Sequence, residues 1–96
     1  MMQICQHFLV TGRVQGVSFR YYTRHKAMDL ELVGWVRNMS DGRVEGVACG
    51  AASSMTIFQH WLAKGPTLAR VTNLEVETIP CQQFDGFQIL DTAIKS

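Results

Sequence analysis

The sequence has no long apolar run, few cysteines and no acidic residue before position 29. Without a stretch of about 20 apolar residues it does not encode a membrane-spanning helix, and its first residues lack the basic and apolar segments of a secretion leader. Its three widely spaced cysteines do not match the disulfide framework of a small secreted domain. These absences predict a cytoplasmic protein that does not enter a membrane.

Length and composition predict one domain. The chain has 96 residues, of which 47% are apolar, which is enough for one hydrophobic core and too little for two. No internal repeat, linker or low-complexity segment divides it. We therefore expect residues 1–96 to form a single domain, and the small size favours a monomer.

Charge is distributed unevenly along the chain. The formal net charge is only +1, which gives no general reason to expect binding to nucleic acid. The first 28 residues nevertheless carry four basic side chains and no acid, namely Arg13, Arg20, Arg24 and Lys26. This part of the chain should therefore lie in a locally positive field, which favours binding of a small anion.

The stretch from Gly12 to Arg20 has the features of an anion-binding turn. An apolar, strand-like run precedes it, and residues at helical spacing follow it. Gly12 and Gly16 allow the backbone N–H groups to converge, and the start of the helix adds about half a positive charge. Arg20 can add a planar guanidinium that matches a phosphate. The turn is predicted to cradle a phosphate. It lacks the Gly-Lys-Ser/Thr ending of a nucleotide P-loop and the spacing of a dinucleotide-binding fingerprint, so no nucleotide site is expected.

Hydrophobic periodicity and turn residues predict the remaining elements. They indicate a strand over 4–11, a helix over 19–30, a hairpin of strands 32–38 and 44–49, a helix capped by Ser53 or Ser54 and ended by Gly65, and strands at 71–79 and 87–90. The stripe predicted to face the core on the first helix comprises Phe19, Tyr22, Thr23, Ala27 and Leu30.

This order of elements predicts a ferredoxin-like α/β sandwich. In that fold a four- or five-stranded, mainly antiparallel sheet is covered on one face by both helices. The first two strands run parallel with the third between them, so their carboxyl ends lie at the same end of the sheet. Asn38, at the end of the second strand, is therefore expected near the cradle.

Several motifs resemble those of the acylphosphatase family and occur in the same order. They are Gly12–Arg20, Gly34–Asn38, Asp41–Gly46, the pair Gly65-Pro66 with Ala69 and Val71, and Phe87–Ile89. Together they span nearly the whole chain. The resemblance implies hydrolysis of acyl phosphates to a carboxylate and inorganic phosphate, without a metal or an organic cofactor.

The resemblance also implies roles for individual residues. The phosphate would be held by the backbone of residues 15–20, which are Gln15, Gly16, Val17, Ser18, Phe19 and Arg20. The side chain of Arg20 would bind the phosphate, and Asn38 would position the attacking water. Neither side chain titrates near neutral pH, so the water proton is predicted to pass to the substrate phosphate or to solvent.

One position departs from the family pattern. Glu31 stands between Leu30 and Leu32, where the family usually has glycine. If Glu31 adopts a left-handed conformation at the end of the helix, it costs roughly 1 kcal/mol relative to glycine. The departure concerns stability and leaves the catalytic residues unaffected.

Two other functions are compatible with this fold. A non-catalytic module that binds acyl or carbamoyl phosphate would retain the cradle, although the presence of both Arg20 and Asn38 favours an enzyme. An RNA-binding domain of the RRM type would need aromatic residues on the central strands, and residues 43–49 contain none. An enzyme acting on a small acyl phosphate is therefore the predicted function.

Cys5 and Cys49 are candidates for a disulfide. The predicted antiparallel pairing of the first and third strands places them opposite each other on the face away from the helices. A disulfide is one possibility, and two free thiols are the default in a reducing cytoplasm. His7 lies on the same face, but no paired ligand spacing supports a metal site there.

Overall fold

The computed structural model describes residues 3–92. Its elements, in chain order, are β1 (Gln3–Arg13), α1 (Phe19–Asp29), β2 (Val33–Asn38), β3 (Val44–Ala51), α2 (Ala52–Lys64), β4 (Arg70–Ile79) and β5 (Phe87–Ile89). The predicted order of elements is confirmed. Most of the predicted helix and strand ends differ from the observed ones by one or two residues. The predicted domain also includes residues 1, 2 and 93–96, which lie outside the described residues.

The strands form one sheet in the order β4-β1-β3-β2-β5. β3 lies between β1 and β2 and is antiparallel to both, so β1 and β2 run in the same direction as predicted. β4 adds to the sheet antiparallel to β1, and the short β5 adds parallel to β2. The carboxyl ends of β1 and β2 therefore meet at one end of the sheet. No helix between residues 3 and 92 is long and apolar enough to cross a membrane.

The main core lies between the sheet and the two helices. Phe8 and Val10 of β1 point into it, and α2 contributes Met55, Phe58 and Leu62. The opposite face of the sheet carries a smaller buried cluster, which consists of Cys5, Val47 and Cys49. Both helices therefore cover the same face, as the ferredoxin-like fold requires.

Tyr22 departs from the predicted core stripe of α1. Phe19, Thr23 and Ala27 are buried, whereas Tyr22 is 48% exposed. The space beside its ring is an open groove that reaches the loop after α2. Helical spacing predicts that Tyr22 packs in the core, but its ring borders this groove together with Trp61 of α2 and stays half exposed.

The end of α2 was predicted correctly, and its start was not. Gly65 ends the helix with φ 73° and donates its N–H to the Trp61 carbonyl at 2.7 Å, as expected. The predicted serine cap is wrong, because α2 starts at Ala52 and the residue before it has no side-chain acceptor. β3 runs directly into α2 without a loop, so Ser53 and Ser54 fall inside the first turn.

Glu31 adopts the left-handed conformation that its position suggested, with φ 58°. The N–H of Glu31 donates to the Met28 carbonyl at 3.0 Å, and the N–H of Leu32 donates to the Ala27 carbonyl at 2.8 Å. This pair of bonds is the Schellman motif, in which a left-handed residue reverses the chain and satisfies the last carbonyls of the helix. Glycine is favoured there because it has no Cβ to strain.

Replacing Glu31 with glycine is expected to raise the free energy of unfolding by roughly 1 kcal/mol, since the left-handed backbone is then unstrained. Urea unfolding would measure the change. Glu31→Ala is the matched control, because it removes the carboxylate and keeps the Cβ. An equal gain in Glu31→Ala would show that the carboxylate, not the backbone, limits stability.

Cys5 and Cys49 are register partners in β1 and β3, and both are fully buried. The structure joins them in a disulfide, and it leaves Cys81 as an exposed free cysteine. The pairing follows from the antiparallel register, which brings the two Cβ atoms to the same side of neighbouring strands.

Thiol counting will establish whether this disulfide forms in the protein. Chain purified without reductant and then unfolded should contain one reactive thiol, that of Cys81, and reduction should raise the count to all three cysteines. A Cys81→Ser variant should contain none before reduction. Three thiols in the untreated protein would show that Cys5 and Cys49 remain reduced.

Candidate active site

Three unusual backbone positions lie at the end of β1 and in the turn between β1 and α1. Gly12 has φ 135°, and a Cβ there would lie 2.1 Å from the Arg70 carbonyl oxygen of β4, so only glycine fits. Gly16 and Ser18 are both left-handed, with φ 74° and 59°. Ser18 is the residue before α1 and makes no side-chain capping bond. A strained non-glycine residue at this point is typical of a backbone arranged for ligand binding.

The turn forms one wall of a cavity of about 390 Å³ at the end of the sheet. The cavity is lined by Val14, Gln15, Gly16, Ser18, Phe19, Arg20, Tyr21, Asn38 and Ile89. It therefore contains both residues predicted to be catalytic and all the predicted phosphate-binding residues except Val17. Val17 instead lines the neighbouring groove.

Arg20 is half-buried in the first turn of α1, and none of the carboxylates in the described part of the chain pairs with it. Two other arginines are occupied, since Arg37 lies 2.8 Å from Glu45 and Arg43 lies 2.7 Å from Asp41. A half-buried guanidinium without an acidic partner has unused donors directed at the cavity it lines. Such a group is suited to binding an anion.

Asn38 ends β2 and is paired with Val44 of β3. Its Oδ1 is buried, and no donor in residues 3–92 is bonded to it. Buried polar atoms are nearly always hydrogen-bonded, so an exception beside a cavity calls for an explanation. An acceptor beside the cradle is suited to orienting a water molecule.

Gln15 connects the cradle to the hairpin that follows Asn38. Its Nε2 donates to the carbonyl oxygens of Met39 at 2.8 Å and of Arg43 at 3.0 Å. The two bonds hold the turn against the strand end that carries Asn38. Sequence reasoning assigned only the backbone of Gln15 and missed this contact, because its acceptors are main-chain carbonyls that leave no mark in the sequence.

The cavity has a positive electrostatic character. The first turn of α1 contains no acidic residue, and the lining residues include no aspartate or glutamate. The partial charge of the helix N-terminus and the charge of Arg20 therefore add without local compensation. Among residues 3–92 the lining also contains no histidine, cysteine or lysine, so this part of the chain offers the cavity no side chain that titrates near neutral pH.

Residues on the other face of the sheet have different partners. His7 Nε2 lies 2.8 Å from Glu45 Oε2, and Arg37 bonds the second oxygen of the same carboxylate. Partial burial raises the pKa of the Glu45 carboxyl, but the hydrogen bonds from His7 and Arg37 outweigh it and hold the pKa below its usual value. Within residues 3–92 no three potential ligands cluster as a metal site.

Comparison with known proteins identifies the family. Its sequence model, described as acylphosphatase, matches residues 6–89. The acylphosphatase of Pseudomonas paraeruginosa is 51% identical over 87 residues, which cover 91% of this chain and 96% of that protein. The acylphosphatase of Vibrio vulnificus is 46% identical over 86 residues, or 90% of this chain and 96% of its own length.

Solved structures agree with the sequence comparison. The structure of an acylphosphatase from Coxiella burnetii superimposes with a TM-score of 0.89 at 44% identity and covers 92% of this chain and 93% of that one. The similarity therefore extends over most of the chain. The chain belongs to the acylphosphatase family.

Proposed function

We propose that this acylphosphatase hydrolyses the carboxyl–phosphate bond of acyl phosphates in the cavity between the turn and Asn38. The products are a carboxylate and inorganic phosphate. The proposal is carried by one observation, namely that the same cavity is lined by Arg20, which has no acidic partner, and by Asn38, whose amide oxygen is bonded to no donor in residues 3–92.

The phosphate would be bound by the backbone N–H groups of residues 15–20 and by the guanidinium of Arg20. Converging N–H groups at a helix N-terminus favour an anion, and the fork of an arginine can bond two phosphate oxygens at once. Gln15 supports this arrangement indirectly, because it holds the turn against the hairpin.

Asn38 would orient the water that attacks phosphorus. Its side-chain amide hydrogen-bonds the water and holds it in line with the bond to be broken. As the new phosphorus–oxygen bond forms, the old one breaks, and its electron pair leaves with the carboxylate. A carboxylate is a good leaving group, so the reaction needs little acid catalysis.

The proton of the water would pass to a phosphate oxygen of the substrate or to solvent. Arg20 stays protonated and Asn38 does not titrate, and no other lining residue acts as a base near neutral pH. The pH–rate profile should therefore show no essential enzyme base near neutrality. We infer that no metal ion, organic cofactor or nucleic acid takes part. A monomer and a cytoplasmic location remain predictions.

Hydrolysis of benzoyl phosphate with and without a chelator tests the proposal. We expect the same kcat in excess EDTA as in its absence, since every group in the proposed mechanism belongs to the chain. Activity that EDTA abolishes and a divalent cation restores would contradict a metal-independent mechanism. Binding of phosphate without any hydrolysis would instead favour the non-catalytic acyl- or carbamoyl-phosphate-binding module.

A further inference from the structure

A second cavity adjoins the phosphate cradle on the outer side of the turn. It has a volume of about 430 Å³ and reaches from the turn to α1, the end of α2 and the loop that follows α2. We call it the outer groove, and its walls are formed by Tyr22, Trp61, Pro66 and Leu68. Gly16 and Ser18 line both cavities, so the outer groove begins where the cradle ends.

The side chains that line the outer groove are mainly apolar, with Ser18 and Thr67 beside them, and none from residues 3–92 is charged. Leu68 is 75% exposed and Tyr22 is 48% exposed, although both are large side chains that gain free energy when they are covered. Trp61 is better fixed, since its ring centroid lies 5.8 Å from that of the buried Phe19. A fixed aromatic wall beside exposed apolar side chains is suited to a flat or branched apolar group.

Asn38 lines the cradle but not the outer groove. The groove reaches the end of α2, which packs on β1, β3 and β4, and it also meets Tyr22 of α1, which packs on β2 and β5. In-line transfer requires the attacking water and the leaving group to lie on opposite sides of phosphorus. With the water at Asn38, the outer groove is the cavity open to the leaving acyl group.

The turn leaves a path between the two cavities. At Gly16 a Cβ would meet nothing within 4 Å, so the space over this residue is open. An acyl group attached to a phosphate in the cradle can cross the turn there. Tyr21 and Ile89 are the other exposed apolar residues at the cradle, but β5 places Ile89 beside β2, on the same side as Asn38.

We propose that the outer groove binds the acyl group of the substrate and gives the enzyme a preference for aromatic or branched apolar acyl phosphates over acetyl phosphate. This inference rests on the proposed function, because it takes the position of the water from Asn38. The phosphate then supplies the common anchor, and contact with Tyr22, Trp61 and Leu68 distinguishes one acyl group from another.

The test compares kcat/KM for benzoyl phosphate with kcat/KM for acetyl phosphate. In Leu68→Ser and Tyr22→Ser we expect the ratio of benzoyl to acetyl phosphate to fall about threefold to tenfold, because an apolar contact with the ring is lost. Ile57→Ser is the matched control, since Ile57 is an equally apolar side chain on α2, 51% exposed, that does not line the groove. Its ratio should equal that of the unmodified protein.

Inhibition by inorganic phosphate measures binding in the cradle alone, so it distinguishes a change in the outer groove from a change in the cradle. A ratio that stays the same in both groove variants would overturn the inference while leaving phosphate binding and hydrolysis of acetyl phosphate intact. A ratio that falls only in Tyr21→Ser would place the acyl group on the other side and would also overturn it. Protein that binds inorganic phosphate but hydrolyses neither substrate would contradict the proposed function itself, and the inference would fail with it.

Discussion

Replacing Arg20 with alanine should lower kcat/KM for benzoyl phosphate a thousandfold or more. Loss of one preorganised group that stabilises an anion typically costs about 10²–10³ in turnover, or roughly 3–4 kcal/mol. Loss of Arg20 is expected to lower activity further, because Arg20 would hold the phosphate in the ground state as well as in the transition state. Inhibition by inorganic phosphate should therefore disappear together with activity.

The structure provides a control for the loss of charge. Arg13 lies at the end of β1, close to the same turn, but it is exposed and does not line the cavity. Arg13→Ala removes the same charge from the same region, and we expect only a small, salt-sensitive change in KM. Comparable losses in Arg13→Ala and Arg20→Ala would show that the general positive field, not contact with Arg20, binds the phosphate.

Arg20→Lys separates charge from geometry. Lysine keeps the positive charge but lacks the planar fork that can bond two phosphate oxygens together. We expect it to recover part of the inhibition by phosphate and little of the turnover. Recovery of full activity would show that a point charge at this position is sufficient.

Sequence patterns predicted those features of the structure that depend on residues close together in the chain. Periodicity and turn residues correctly predicted five strands and two helices in their order along the chain. The tight turn at Gly12 and Gly16 and the left-handed conformation of Glu31 were also predicted from single positions. Gly16 and Glu31 have positive φ, and another strand approaches Gly12 closely. Asn38 required one more step, because it lies near the cradle only through the parallel arrangement of β1 and β2.

The sequence predicted less well where a distant element decides the outcome. Ser53 has a good capping side chain, but β3 continues to Ala51 and leaves no position for a cap. Tyr22 has helical spacing with the core, yet its ring borders an open groove and stays half exposed. Gln15 bonds carbonyl oxygens 24 and 28 positions away, and any residue type can supply a carbonyl. These contacts depend on tertiary structure that local patterns do not contain.

The second large effect is expected at Asn38. In Asn38→Ala, kcat for benzoyl phosphate should fall about 10²–10³-fold, the usual cost of losing a preorganised catalytic group. The inhibition constant of inorganic phosphate should change little, because the proposed partner of Asn38 is the water and not the phosphate. This division between turnover and binding distinguishes Asn38 from Arg20, for which both should fall.

Stability provides an independent readout for the same variant. Oδ1 of Asn38 is bonded to no donor in the described chain, so its removal breaks no hydrogen bond within residues 3–92. We expect Asn38→Ala to unfold at a free energy within about 1 kcal/mol of that of the unmodified protein. A structural role for Asn38 would produce the opposite result, with stability and activity lost together.

Two further variants test whether the amide of Asn38 orients the water. Asn73→Ala changes an exposed asparagine of β4, outside the cavity, and should alter neither kcat nor stability. Asn38→Asp keeps an oxygen acceptor but places a negative charge beside the phosphate, so it should weaken phosphate inhibition by repulsion as well as lower kcat. If Asn38→Ala instead abolished phosphate inhibition, Asn38 would be a phosphate ligand, and the attacking water would have to be oriented by another group in the cavity.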